Sequence, residues 1–329
     1  MSTLISGIMI TISSNSWMGA WMGLEINLLS FIPMMTNNSN IYTTESSLKY
    51  FLIQALASSI LLFVIISKTM LEDLFSLHYS LFSMAILTPL LLKSGAAPFH
   101  WWFPSVMEGL NWMNCFILMS LQKIAPLILI SFVIKINLFS MLTIIMSIFM
   151  GSIGGYNQTS IRKILTYSSI NHLGWMLTAM LLGKNYWLMY FSLYSILVFL
   201  IIAIMKPFQL SFINQVPLLM KDNSLTKFMF FTSLLSLGGL PPFLGFLPKW
   251  IIIQEIINEN LLFLITFMVI MSLITLYYYL RLSYSSFMIL HSEPSWNIQT
   301  NNEIEMYTII LLVLSMIGLI LSTFISSIF

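Results

Sequence analysis

The sequence predicts an all-α, polytopic membrane protein of about eleven transmembrane helices, two of them discontinuous. Three observations carry that prediction. Of 329 residues, 58% are hydrophobic and 7% charged, against about 25% charged in a soluble domain. Mean hydropathy is +0.93. Apolar runs of spanning length follow one another, separated by short polar breaks. Two stretches also echo each other: residues 95–104 (GAAPFHWWFP) and 239–248 (GLPPFLGFLP) share the pattern G-x-x-P-F-x(4)-P. Glycine and proline break a helix, and in lipid the freed backbone groups survive only where they face protein or a wet cavity. Paired broken helices with charges beside them point to a transport site. Lys93 precedes the first echo and Lys249 follows the second.

The expected runs lie near 1–14, 17–35, 46–67, 77–103, 112–134, 138–156, 161–182, 186–208, 224–255, 261–287 and 305–327. The first is short: the chain reaches Asn15-Ser16-Trp17 before a helix can span unaided, so a partner covers the gap or the bilayer thins. The fourth and ninth runs hold the echoed motif. Short loops favour antiparallel neighbours in one bundle, and the longest polar stretch is 291–305. The repeat predicts a single membrane domain over 1–329, with inverted halves near 17–134 and 138–287 and a C-terminal loop and helix at 288–329. Lys49, Arg162, Lys163, Lys206, Lys221 and Lys227 fall on the N-terminal side of the runs. Lys68, Lys135 and Lys184 fall opposite. The excess places the N-terminus on the inner, positive side and the C-terminus on the other.

Several function classes are excluded. No secretory signal is visible, since the first run lacks a basic start and a small-residue cleavage site. One cysteine, Cys115, gives no disulfide framework. Four scattered histidines without an HExxH or Cys/His cluster argue against a metal or iron–sulfur centre. Neither GxGxxG nor GxxxxGK[ST] occurs, so no familiar glycine loop binds a nucleotide.

Most lysines sit at run ends, where a flexible stem reaches water. Four charges do not. Glu25 lies in the middle of WMGAWMGLEINLL, Lys93 ends an apolar run, Lys123 is central to 115–134, and Lys249 follows the second break. A charge at the bilayer centre costs about 2.5–3.5 kcal/mol on the mildest scale. Four of them imply a shared, hydrated interior whose groups titrate as a coupled set, the chemistry of a proton relay. The plain alternative is a buried ion pair, but three lysines face one glutamate. Pro126 frees the carbonyl of Gln122 beside Lys123, a place for an ordered water or an ordinary kink. His172 shares a helical face with Ser168, Asn171 and Trp175 and suits either proton transfer or an interhelical hydrogen bond. His100, inside the first break, serves as a relay group or caps freed backbone. Glu108, Arg162, Lys163, Glu255 and Glu259 fall near run ends. Tyr277-Tyr278-Tyr279 reads as an interfacial or a packing feature and not as a site.

At these residues a family becomes visible. The stretches WMGLEIN (21–27), ESSLKYF (45–51), LKSGAAPFH (92–100), QKIAP (122–126), GGYNQT (154–159), SSINHLGW (168–175) and SLGGLPPFLGFLPKW (236–250) run in order through most of the chain. Together they resemble the mitochondrially encoded subunit 2 family of NADH dehydrogenase (ubiquinone), respiratory complex I, in an invertebrate, insect-like form. A residue choice rich in Ile, Met, Phe and Asn fits an AT-rich organelle genome. The resemblance implies a core membrane-arm subunit, antiporter-like in fold, carrying one proton channel. It also implies two inverted five-helix repeats with one broken helix each, and eleven helices where bacterial relatives have fourteen. Glu25 matches the glutamate paired with the first broken-helix lysine, here Lys93. Lys123 matches the central lysine of the hydrophilic axis, and Lys249 the lysine of the second broken helix. NAD, FMN, iron–sulfur clusters and ubiquinone are expected in other subunits, with none on this chain.

The implied partners are neighbouring antiporter-like and other membrane-arm subunits and lipids such as cardiolipin, with no nucleic acid. The implied place is the mitochondrial inner membrane, N-terminus in the matrix and C-terminus in the intermembrane space. The N-terminus departs from the family pattern, so the first helix is truncated or its start misplaced. The regions 206–227 and 291–305 match only loosely. Two rival readings remain: a free-standing cation/proton antiporter, and a non-conducting spacer that transmits conformational change.

Overall fold

The computed structural model describes residues 1–36, 40–70, 79–216, 224–287 and 313. The described residues are helical, with one isolated bridge between Ser160 and Phe212. In order come α1 (Ser2–Ser13), α2 (Trp17–Met35), α3 (Ile41–Met70), α4 (Tyr79–Ser94), α5 (Trp102–Gly109), α6 (Trp112–Met119), α7 (Leu121–Val133), α8 (Leu138–Tyr156), α9 (Ile161–Leu182), α10 (Lys184–Phe208), a 3₁₀ turn (Ile213–Gln215), α11 (Ser224–Gly238), α12 (Phe246–Asn258) and α13 (Leu262–Phe287). Each run expected before residue 288 is met by helix. The run at 305–327 and the polar stretch 291–305 lie outside the described residues, apart from residue 313.

Five segments are long and apolar enough to cross a membrane: α3, Trp112–Val133, α8, α10 and Leu262–Tyr284 of α13. The chain is therefore a multi-pass membrane protein. Neither α2 nor α9 is among the five. These two helices carry polar residues, Glu25 and Asn27 on α2 and Ser168, Ser169, Asn171 and His172 on α9. In α9 nearly every side chain from Ile164 to Met180 is buried, so its polar content faces protein.

Both breaks expected in the fourth and ninth runs are present, and they are built alike. After α4 the chain turns at Gly95, φ +76°, and the amides of Gly95 and Ala96 both donate to the Leu91 carbonyl (3.0 and 3.1 Å). After α11 it turns at Gly239, φ +82°, and Gly239 and Leu240 both donate to the Leu235 carbonyl (3.1 and 3.4 Å). A left-handed glycine with paired back-bonds is the common helix stop. A short helix then resumes, α5 in the first case and α12 in the second.

A further irregularity was not expected. The run 112–134 is interrupted at Ser120, whose amide and Oγ both return to the Phe116 carbonyl (2.9 and 2.7 Å). Lys123 N–H then bonds Ser120 O at 3.1 Å. A serine hydroxyl bonded one turn back bends a helix, and Pro126 removes a donor farther along. The interruption sits ahead of Gln122 and Lys123, and α7 continues through Pro126 to Val133.

The chain divides into two compact units, Met1–Ser147 and the remainder from Ile148. In the first, α1 packs on α2, α2 on α3, α3 on α4 and α5, and α4 on α7. The α1–α2 contact depends on small residues: a Cβ at Gly23 would stand 2.8 Å from Thr11 N, and one at Gly7 would stand 3.0 Å from Asn27 N. Close backbone approach of this kind is how helices associate in lipid. The lone cysteine, Cys115, is buried here, its Sγ near the carbonyls of Met107 and Leu110 (3.8 and 3.7 Å). In the second unit α9 packs on α10 and α12, α10 on α11 and α12, and α13 on α11 and α12.

Gly245, at the start of α12, sits where a Cβ would overlap the Ser236 carbonyl oxygen, whereas a Cβ at Gly238 would meet only ordinary contacts from 3.4 Å. Gly245→Ala is expected to destabilise the fold by about 1–3 kcal/mol or more, and Gly238→Ala far less. Thermal midpoints of the two detergent-solubilised variants check the contrast.

Candidate functional site

In the first unit, Lys93 and Lys123 come together on one cavity, although one ends α4 and the other lies on α7. The cavity also holds Asn27, Tyr50, Gln54, Ser94 and Gln122 among apolar neighbours that include Phe103 and Pro126. Its free volume is about 20 Å³, above the ~10–15 Å³ that one water requires. Lys93 is 7% and Lys123 2% exposed, so neither is an anchor reaching for water. Polar atoms aim inward without protein partners: Gln122 Nε2 and Asn27 Oδ1 are buried and unbonded. Such groups are what an internal water satisfies.

Each side chain has a physical reason for its place. Lys93 occupies the last turn of α4, where carbonyls gather negative potential. At the break the Leu92 carbonyl accepts from Gly95 N–H at 3.2 Å and from Trp102 Nε1 at 3.1 Å, and the freed Lys93 carbonyl accepts from Gln54 Nε2 at 3.4 Å. Tyr50 donates to Gln122 Oε1 at 3.3 Å, tying α3 to α7. Lys123 Nζ lies 4.8 Å above the Phe103 ring, a face that attracts cations. Glu25 acts on Lys93 through its charge. Its Oε2 is buried and has no hydrogen-bond partner, and it does not line the cavity. Glu25 and Lys93 are therefore electrostatic neighbours.

His100 is buried in the first break. Its Nδ1 faces the Pro98 carbonyl at 3.3 Å and its ring stacks on Trp101. It does not line the cavity with the lysines. Of the two roles open to it, this geometry suits local capping of the break.

In the second unit, Lys249 is 5% exposed on α12. Its ammonium donates to the Gly238 carbonyl, freed by the break, at 2.9 Å. It also lies 5.8 Å from the Trp175 ring on α9. A Cβ at Gly239 would approach Lys249 Nζ to 3.0 Å, so glycine leaves space for the ammonium. His172, on the same helix as Trp175, bonds through Nδ1 to Tyr190 Oη at 2.8 Å, with Tyr194 packed beside its ring.

Sequence reasoning passed over Tyr50, Gln54, Tyr190 and Tyr194. The available signal was a pair of polar side chains at i and i+4 inside an apolar helix, the same face on α3 and again on α10. Of the interfacial and packing roles open to the tyrosine run, Tyr278 and Tyr279 take the packing one, both being fully buried. Among the described residues no cluster of His, Cys, Asp or Glu is suited to a metal ion.

Comparison with known proteins agrees with this architecture. The model of the family described as NADH:quinone oxidoreductase/Mrp antiporter, TM, matches residues 14–275. NADH-ubiquinone oxidoreductase chain 2 of Anopheles gambiae is 55% identical over 322 residues, covering 97% of this chain and 94% of that protein. Its Aedes aegypti counterpart is 55% identical over 326 residues, 98% and 95% of the two chains. In fold, the chain is similar to one in the respiratory complex I of Thermus thermophilus with bound aureothin. The TM-score is 0.81 at 23% identity, covering 98% of this chain and 75% of that one. The chain belongs to the NADH-ubiquinone oxidoreductase chain 2 family, within the NADH:quinone oxidoreductase/Mrp antiporter membrane proteins.

Proposed function

We propose that this chain is a core membrane-arm subunit of NADH:ubiquinone oxidoreductase, complex I, and that it carries a proton-translocation channel coupled to electron transfer from NADH to ubiquinone. The observation that supports this most is the burial of three lysines inside the protein, two on one water-sized cavity and one on a helix break. Here Lys93 and Lys123 share one cavity, with Glu25 acting on Lys93 from outside it. Ammonium groups so placed repel each other, so a proton gained by one alters the affinity of the other. A charge displaced nearby can then drive transfer along the series.

In this reading Glu25, Lys93, Lys123 and Lys249 are the relay, with His172 joined to it, while His100 takes the capping role at the first break. The alike construction of the two breaks supports inverted repeats over 17–134 and 138–287. The redox groups NAD, FMN, iron–sulfur clusters and ubiquinone belong to other subunits. The neighbours are other membrane-arm subunits, antiporter-like ones among them, and lipids such as cardiolipin. The location is the mitochondrial inner membrane, with the N-terminus in the matrix.

Lys123→Met and Lys249→Met are each expected to lower coupled NADH oxidation by roughly 10²-fold, the scale of one proton-transfer group, while normal amounts of complex assemble. Proton uptake per NADH in membrane vesicles, read beside native-gel staining, measures this. Full turnover and full proton stoichiometry in both variants would remove the channel and leave a non-conducting subunit. An epitope at the C-terminus is expected to be reached by antibody in mitoplasts with intact inner membranes. Labelling only after the inner membrane is opened would reverse the orientation.

A further inference from the structure

Outside the lysines, the second unit holds a cluster of buried hydroxyls that the proposed channel does not use. Tyr190 and Tyr194 come from α10, Tyr278 and Tyr279 from α13, and Ser168 and Ser169 from α9. All six are at most 3% exposed. Tyr190 Oη is bonded to His172 Nδ1 at 2.8 Å. The Tyr194 ring centroid lies 5.1 Å from that of His172, and its hydroxyl lies near that of Ser169. Tyr278 and Tyr279 pack edge to face at 4.7 Å. The Tyr279 hydroxyl lies near those of Ser168 and Tyr278, without a well-formed bond.

Ser168 and Ser169 spend their own protons on the carbonyls of Leu165 and Thr166 (2.8 and 2.7 Å). That leaves their oxygens as acceptors toward the tyrosines. Buried tyrosine hydroxyls ordinarily find a partner. Here Tyr278 and Tyr279 are buried with none in good geometry, the pattern that internal water completes.

The cluster has a direction. Arg281, one turn beyond Tyr278 on α13, donates to the carbonyls of Tyr156 and Gln158 at 3.0 and 2.8 Å. That end of α13 therefore lies at the α8–α9 turn. Ser168 stands about 10 Å along α9 from the same turn, and His172 one helical turn deeper. Gly155 keeps the approach tight, since a Cβ there would come within 3.0 Å of Tyr278 Cε1.

We propose that Tyr190, Tyr194, Tyr278 and Tyr279 form a hydrated hydroxyl relay, with Ser168 and Ser169 as fixed acceptors that orient it, carrying protons between the α8–α9 face of the second unit and His172. A hydroxyl both donates and accepts. At each step an O–H bond forms to the arriving proton while the original O–H bond breaks toward the next oxygen. Each tyrosine ends neutral, and rotation of its hydroxyl resets it. The last proton reaches Nδ1 of His172, whose Nε2 passes one onward. This rests on the proton-conduction reading above. With the N-terminus in the matrix, it makes the α8–α9 face the side of proton uptake.

The test uses the assembled complex bearing Tyr194→Phe with Tyr279→Phe, which removes two hydroxyls and keeps both rings. Tyr284→Phe, on an exposed side chain of the same helix as Tyr279, is the control, and Lys249→Met is measured beside them. Coupled turnover is expected to fall about ten-fold in the double variant. That is less than the roughly 10²-fold of a lone proton-transfer group, because neighbouring hydroxyls and water share the work. Tyr284→Phe is expected to match the unmodified complex. Full turnover and stoichiometry in the double variant, with Lys249→Met impaired, would overturn the relay and keep the channel. Full activity in both would overturn the channel and the relay with it. If the double variant does not assemble, Tyr194→Phe alone decides: a larger H2O-to-D2O rate ratio supports the relay, and an unchanged ratio overturns it.

Discussion

Every backbone amide and carbonyl in a membrane needs a partner within the protein, and the two helix breaks are where this chain faces that demand most sharply. Each break ends in a left-handed glycine whose back-bonds close part of the opened ladder. The remaining carbonyls are taken by side chains of the residues that define the site. Trp102 and Gln54 serve the first break, and Lys249 serves the second. The structural answer to the broken ladder and the placement of the buried charges are thus one arrangement. Removing the break would leave those side chains without their acceptors. Removing Gln54 or Lys249 would leave the Lys93 or Gly238 carbonyl unbonded in an apolar interior, at a cost of about 1–3 kcal/mol each.

The same economy explains why the polar interior is distributed over several helices. Neither α2 nor α9 is apolar enough to stand among the spanning segments; α9 is surrounded by protein, while α2 buries Asn27 on one face and leaves Met18, Met22 and Leu29 exposed on the other. Glycine contacts bring α1 onto α2 near Glu25, and α8 onto α9 beside Asn171. Aromatic faces then stand against the ammonium groups, Phe103 against Lys123 and Trp175 against Lys249. A ring face partly replaces the hydration of a cation without neutralising it, which keeps the lysine able to give up its proton.

Much of this was legible in the sequence. Hydropathy located the helices, because a spanning segment writes its length directly into the apolar run. Glycine and proline at 95–98 and 239–242 located the breaks, because few other residues tolerate them. Glu25, Lys93, Lys123 and Lys249 stood out because charge is rare in such a chain. Tyr50, Gln54 and the tyrosine cluster did not. Tyrosine is common at membrane interfaces, and nothing in a run such as Tyr277-Tyr278-Tyr279 reveals that Tyr277 is half exposed while its two neighbours are buried. Burial of a hydroxyl depends on which helix lies opposite, and that is set by packing between distant segments. The bend at Ser120 was hidden for a similar reason, since serine bonds its own helix in many positions without bending it.

The bond from Lys249 to the Gly238 carbonyl gives the second break an unusual mechanical property. An ammonium donor makes a charge-assisted bond, roughly twice as strong as the bond its neutral amine would make. The amine still has hydrogens to donate. Loss of a proton therefore slackens the clasp between α12 and the end of α11 without undoing it. The helix junction works as a spring whose stiffness follows the charge on one nitrogen, so proton occupancy is registered in the backbone as well as in the electrostatics of the interior.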